Sequence, residues 1–144
     1  MTRIDFYALK EGSAGDRFLL TCRLVERIHL GEGLRIFVQV PDPAQAQHLD
    51  RLLWTFKEQS FLPHGLAGRA DPGLTPILIG QDADPGEEGQ VLINLCPGVP
   101  AFLERFQRLC EPVDLDPAAR AAARERFRWY RAQGYELHHH QITI

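Results

Sequence analysis

Cysteine is scarce in this sequence, and the cysteines present fit neither a disulfide framework nor a metal site. Cys22, Cys96 and Cys110 are the only three, and no pair has Cys-x-x-Cys spacing. An odd number without such spacing reads as reduced cytosolic thiols. Long hydrophobic runs are also missing. No stretch approaches the ~18 apolar residues of a membrane span, and the opening MTRIDFYALKEG has no apolar signal-peptide core. The expectation is a soluble, cytoplasmic protein with no membrane partner. No internal repeat or long low-complexity linker breaks the chain. Excess charge of one sign is absent: the formal net charge is −3. That excludes a general nucleic-acid coat and leaves room only for a local basic face.

The marks of catalysis and cofactor binding are missing as well. Gly12-Ser13-Ala14-Gly15 lacks G-x-G-x-x-G spacing, and no Gly-Lys-Ser/Thr follows it, so no amides or lysine are aimed at a phosphate. There is no G-x-S-x-G, triad or paired-carboxylate site. Cys96 at a strand end reads as a packing residue, and His64, between Pro63 and Gly65, as a turn residue. His138, His139 and His140 are adjacent, and alternation on a strand could put His138 and His140 on one face, but two imidazoles do not make a closed tetrahedral metal site. They read as a solvated tail. No cofactor is expected, and the absences favour a binding protein over an enzyme.

What is present is ordinary globular material. The 144 residues are 44% hydrophobic and 24% charged, enough for one domain, residues 1–144, with a sizeable core. Arg3–Leu9 reads as a first strand. Asp16 caps a helix to about Leu30, stopped by Gly31 and Gly33. Leu34–Val40 is a second strand, and Asp42 with Pro43 starts a second helix. Gly65–Gly73 reads as loop, Pro76–Ile79 and Gln90–Leu95 as strands, and Gln81–Gly89 as an acidic turn. Val99–Leu109 has helical spacing, with Phe102, Leu103, Phe106 and Leu109 inward, and Glu111–Leu115 is a short extended piece. Asp116 and Pro117 start a last helix to about Ala132, ended by Gly134, and Tyr135–Ile144 is extended, an edge strand. Strand and helix alternate, which predicts a three-layer α/β domain with a mostly parallel sheet flanked by helices.

Two segments have residues left over once the core is assigned. In Leu49–Leu66, Ala46, Leu49, Leu52, Leu53 and Phe56 share one helical face, while Trp54 lies roughly 140° from Leu49. Phe61 stands past the helix end, before Leu62 and Pro63. Two surplus rings suggest a docking surface. The last helix carries Arg120, Arg124, Arg126, Arg128 and Arg131 against one acid, Glu125. Arg120, Arg124, Arg128 and Arg131 fall within roughly 80° of one another, with Phe127 among them. Ala119, Ala122, Ala123, Trp129 and Tyr130 form the opposite, core-like face. Three readings stay open: a solvated arginine face with Phe127 against the arginine stems; a pocket for an acidic and apolar segment, with Val113 and Phe127 taking the apolar side chain; or contact with DNA phosphates.

The runs LDRLLW…SFLPHGLAG (Leu49–Gly68) and ARERFRWYRAQGYEL (Ala123–Leu137), with the opening FYAL and the chain length, resemble the chi subunit of bacterial DNA polymerase III holoenzyme. The resemblance covers essentially the whole chain. It implies a single Rossmann-like α/β domain and a non-catalytic adaptor in DNA replication. Its implied partners are the psi subunit, in a 1:1 heterodimer tethering it to the clamp loader, and the acidic, aromatic-ended C-terminal tail of single-stranded-DNA-binding protein. The psi surface would comprise Trp54, Phe61, Leu62 and Pro63, with a competing helicase an open alternative occupant. The tail site would comprise Val113, Arg120, Arg124, Phe127 and Arg128; the family often has lysine at the position of Arg120 and tyrosine at that of Phe127. The C-terminal HHHQITI departs from the family form and carries no implied role. Two alternatives remain: a nucleic-acid-binding domain using the basic helix, and a nucleotide-binding enzyme on the same fold.

Overall fold

A computed structural model describes residues 1–81 and 84–144. In chain order it contains β1 (Arg3–Leu9), α1 (Arg17–Glu32), β2 (Ile36–Val40), α2 (Pro43–Thr55), β3 (His64–Leu66), β4 (Ile77–Gln81), β5 (Val91–Asn94), a 3-10 turn (Leu103–Arg105), β6 (Arg108–Val113), α3 (Pro117–Ala132) and β7 (Glu136–Ile142). The strands form one seven-stranded sheet, ordered β3-β4-β2-β5-β6-β1-β7. Every pairing in it is parallel. The α/β three-layer fold expected from strand–helix alternation is therefore the one found.

Crossover handedness explains how the layers fill. Connections from β1 to β2 and from β2 to β3 run one way across the sheet; all later ones run the other way. Because parallel crossovers are right-handed, the two groups must lie on opposite faces. Accordingly α1 and α2 pack on one face with Tyr7, Leu9, Ile36, Val38, Val40 and Ile79. The other face carries α3 and the 3-10 segment over Ile4, Phe6, Phe37, Leu92 and Leu109. Central strands buried on both sides explain the near-continuous apolar runs IFVQV and VLIN.

All three helices start on an aspartate. Asp16 accepts from the Phe18 and Leu19 amides, Asp42 from Gln45 and Asp116 from Ala119, each cap worth about 1 kcal/mol. The stop signals need one adjustment. Gly31 lies inside α1, and Gly33, at φ 69°, makes the left-handed C-cap.

Three expectations are corrected. Residues 99–109 are not a helix: after the 3-10 turn the chain enters β6, so Phe102, Leu103 and Phe106 cover the sheet while Leu109 lies within it. An apolar i, i+1, i+4, i+7 pattern suits a helix, but it equally suits a turn running into a strand buried on both faces. The extended piece expected at Glu111–Leu115 overlaps the end of that strand, which stops at Val113. Residues 65–73 are not all loop, because His64–Leu66 pairs with β4. Gly65 is needed there, since a Cβ on it would sit 2.6 Å from the Ala70 Cβ. In the acidic turn expected at Gln81–Gly89, residues 82 and 83 lie outside the described residues. Finally, the three histidines are not a solvated tail. They belong to the edge strand expected at Tyr135–Ile144, found as β7 and paired with β1.

His140 anchors that edge. Its ring stacks on Tyr7 at 4.6 Å and 14°, and its Nε2 lies 2.9 Å from Asp5 Oδ1. Asp5 is fully buried and also accepts from Arg3 Nη2 and Arg108 Nε, each at 3.1 Å. Burial pushes the Asp5 carboxyl up, but His140, Arg3 and Arg108 together outweigh it and hold it below its ordinary value. A depressed carboxyl stabilises the fold above its unfolded pKa of about 3.9, and that stabilisation is lost as pH falls through the folded value. Asp5→Asn is therefore expected to cost about 1.5–3 kcal/mol at pH 7. Urea denaturation across a pH series should show the gap to the wild type closing below about pH 4.

Candidate functional site

Residues singled out in the sequence gather at the two ends of the sheet. On the β7 side, a groove of roughly 410 Å³ runs between α3 and the sheet. Val113, Arg120, Arg124, Phe127 and Arg128 all line it, joined by Arg131 and by Phe6, Ala8 and His139 from β1 and β7. The wheel reading of α3 thus describes this wall. Phe127 is half-buried, its ring against Phe6 at 5.3 Å and 67°, so it forms floor as well as rim. Val113 is only 6% exposed and contributes depth. Arg128 pairs with Glu125. Among the described residues no carboxylate forms an ion pair with Arg120, Arg124 or Arg131. The groove therefore combines unneutralised guanidinium groups with an apolar floor, the chemistry that accepts a carboxylate-bearing apolar segment.

The inner side of α3 holds one of the arginines and excludes one of the rings. Arg126, counted in the charge of the segment but outside the arginine face of the wheel, is buried: its Nε donates to Glu111 Oε2 at 3.1 Å and its Nη1 to the Pro97 carbonyl at 2.8 Å. Glu111 is also fully buried and accepts from the Tyr130 hydroxyl (2.7 Å) and from Asn94 Nδ2 (3.1 Å). Burial pushes the Glu111 carboxyl up, against the opposing pull of Arg126, Tyr130 and Asn94. This network ties the inner side of α3 to β5 and β6 and sets which α3 side chains point outward. Trp129, expected in the core, is 44% exposed, because Arg126 and Tyr130 already occupy the inward positions.

At the other end, Trp54 at the end of α2 is 49% exposed and Phe61 70%. Their ring centroids lie 5.6 Å apart. Pro63 is half-buried beside them. Leu62 turns inward, 1% exposed, and supports the pair from the core. His64 is not a free turn residue. It starts β3, with Nδ1 2.6 Å from the Leu62 carbonyl and Nε2 3.0 Å from that of Asp50. Its ring lies 4.5 Å from that of Trp54. A buried imidazole thus holds the exposed indole in place. The ends β3 and β7 are separated by the full width of the sheet, about 29 Å at ~4.8 Å per strand spacing.

Doubly wound sheets commonly bind ligands in the crevice beyond the carboxyl ends of the strands. Here that crevice, roughly 400 Å³, is lined by Arg17, Asp42, Asn94, Asp116 and Arg126 among others. Its two arginines are committed to Asp114 and Glu111. The helix-start amides that would cradle a phosphate already bond to Asp16, Asp42 and Asp116. Cys22 and Cys110 are buried free thiols, pushed up to about 12 by burial, and so are inert as nucleophiles. Among the described residues no group of three or more His, Cys, Asp or Glu is placed to hold a metal ion. No helix of the described residues is long and apolar enough to cross a membrane.

A family model described as "DNA polymerase III chi subunit, HolC" matches residues 1–138. The chain belongs to this family. The DNA polymerase III subunit chi of Pseudomonas aeruginosa is 38% identical over 142 residues, covering 99% of this chain and 98% of that one. The Haemophilus influenzae subunit chi is 32% identical, covering 92% of each. The Escherichia coli subunit chi is 29% identical, covering 95% and 96%. As a chi-family member, the chain is an accessory subunit of DNA polymerase III and acts in DNA replication. Its fold resembles domain 2 of the DEAD-box helicase Mss116p, solved bound to an RNA duplex, with TM-score 0.61 at 8% identity. That match covers 98% of this chain and 64% of the other, and at this identity it speaks to fold alone.

Sequence reasoning missed the contributions of Phe6, Ala8 and His139 to the arginine groove. They come from strands distant in sequence from α3, and no local signal marks them. It also missed His64 beneath Trp54, which reads as a turn residue until β3 is seen.

Proposed function

We propose that this chi-family chain is a non-catalytic adaptor that links the clamp loader to coated single-stranded DNA. In this reading the Trp54–Phe61 pair, with Pro63, docks the psi subunit in a 1:1 complex and through it the clamp loader. The α3 groove takes the acidic C-terminal tail of single-stranded-DNA-binding protein, its terminal aromatic ring entering between Val113 and Phe127 while Arg120, Arg124 and Arg128 meet its carboxylates. A helicase is a further candidate occupant of the Trp54 surface. The observation that carries the reading is the groove itself: Arg120, Arg124 and Arg131, which form no ion pair among the described residues, beside an apolar floor. The spent helix caps and committed arginines of the switch-point crevice support a binding role over nucleotide chemistry.

Exposed ion pairs are individually weak and screened by salt. One tail should therefore bind modestly, and many tails on a coated strand add avidity. Arg124→Ala is expected to weaken an acidic, Phe-ended peptide by about 1 kcal/mol, roughly fivefold, in calorimetric titration. The loss should shrink at high salt. Unchanged affinity would remove the groove assignment. A second reading, direct binding of single-stranded DNA, draws on the exposed indole of Trp129 near Arg128. Tight binding of a naked oligonucleotide at physiological salt, abolished by Trp129→Ala, would favour it.

A further inference from the structure

The two sheet edges are built differently. β3 is only three residues long, and brevity is a common way to blunt an edge. β7 is seven residues long, ELHHHQI, with no lysine, proline or glycine in it. Among the described residues it pairs only with β1. The Lys10 amide donates to the Ile142 carbonyl at 2.9 Å, so residues of that parity, Glu136, His138 and His140, direct their backbone groups toward β1. Leu137, His139 and Gln141 then direct theirs outward. These same residues lie on the α3 face: Leu137 packs in the α3-side core and His139 lines the arginine groove.

We infer that β7 receives an acidic, extended peptide as an eighth strand, with the peptide's α3-side residues meeting the arginine row. This deepens the adaptor reading and rests on its claim that the groove takes an acidic segment. An added strand would lie about 4.8 Å beyond β7. Its main chain would satisfy the outward groups of Leu137, His139 and Gln141, and alternate side chains would fall on the side of Arg124, Arg128 and Arg131. Charge selects this occupant over a second copy of the chain. Edge-to-edge pairing of two β7 strands about a two-fold axis normal to the sheet would set two α3 arginine rows side by side, a like-charge arrangement.

The probe is a synthetic peptide of alternating aspartate and apolar residues ending in phenylalanine, titrated into the full chain with residue-resolved amide hydrogen exchange. Saturation is expected to slow exchange at Leu137, His139 and Gln141 at least tenfold and to leave His138 and His140 unchanged. His139→Pro removes an outward N–H without touching the β1 ladder and is expected to weaken the peptide more than tenfold. His139→Ala removes the groove-lining side chain but keeps the N–H, so it sets the reference, and the proline variant should bind at least tenfold more weakly than it. Peptide binding that depends on Arg124 but neither protects these amides nor responds to His139→Pro would overturn strand addition and leave the groove reading standing. No binding to the wild type at low salt would overturn both. Protection of the same amides without peptide, growing with protein concentration, would show a second copy on the edge and overturn the peptide assignment.

Discussion

Arg126→Ala is expected to lower the free energy of unfolding by about 3–5 kcal/mol, the largest effect among the arginines of α3. The substitution leaves Glu111 fully buried without its cation, retaining only Tyr130 and Asn94. It also frees the Pro97 carbonyl. A domain of this kind holds about 5–15 kcal/mol in all, so urea denaturation would show a large drop in midpoint. The physical cause is an uncompensated buried charge, not the loss of an attractive contact. The control follows from that. Replacing both partners with apolar residues of similar volume, Glu111→Leu with Arg126→Met, is expected to restore most of the stability. If the double variant is as unstable as Arg126→Ala, the network acts through its hydrogen bonds to Tyr130, Asn94 and Pro97 instead. Arg124→Ala, on the exposed side of the same helix, should leave stability within about 0.5 kcal/mol of wild type.

Trp54→Ala and Phe61→Ala are each expected to weaken psi binding by about 2 kcal/mol or more, roughly 30-fold. Both rings are large and already exposed, and Trp54 rests on a buried imidazole. They therefore offer a preorganised apolar surface with little entropy left to lose on docking. Removing them costs binding rather than folding, which calorimetry and thermal unfolding on the same variants will separate. Co-purification of psi with both variants at wild-type yield would count against the assignment. Because the arginine groove sits at the opposite edge of the sheet, the Trp54 and Arg124 effects should be independent. A Trp54→Ala/Arg124→Ala double variant should lose each partner no more than the corresponding single variant does, as additivity of distant sites requires.

The sequence alone was a good guide wherever a local rule governs. Asp16, Asp42 and Asp116 cap the three helices as the residue order predicts, because a cap needs only its own next few amides. The exposed position of Trp54 and the arginine row on α3 followed from helical periodicity, and Phe61 stood out by its place past the helix end, before Leu62 and Pro63. Where one local pattern serves two structures, the reading went astray. Phe102, Leu103, Phe106 and Leu109 fit a helix, and only the open place between β5 and β1 makes Leu109 part of a strand. Trp129, expected in the core, is exposed for a similar reason: Arg126 takes an inward position on α3. No helical wheel shows that Glu111, fifteen residues earlier in the chain, waits beneath α3 for a guanidinium.

Composition, caps and periodicity thus determined the α/β class, the starts of the three helices and the exposed aromatic and arginine residues. The tertiary structure decided which of those residues meet. Parallel pairing laid β7 beside β1 and brought His139, Phe6 and Ala8 to the arginine helix. It also ordered three apparently idle histidines and set the Trp54–Phe61 pair and the arginine groove at opposite edges of one sheet. These are long-range contacts, specified by strand order and crossover handedness, and neither is written in any one stretch of residues.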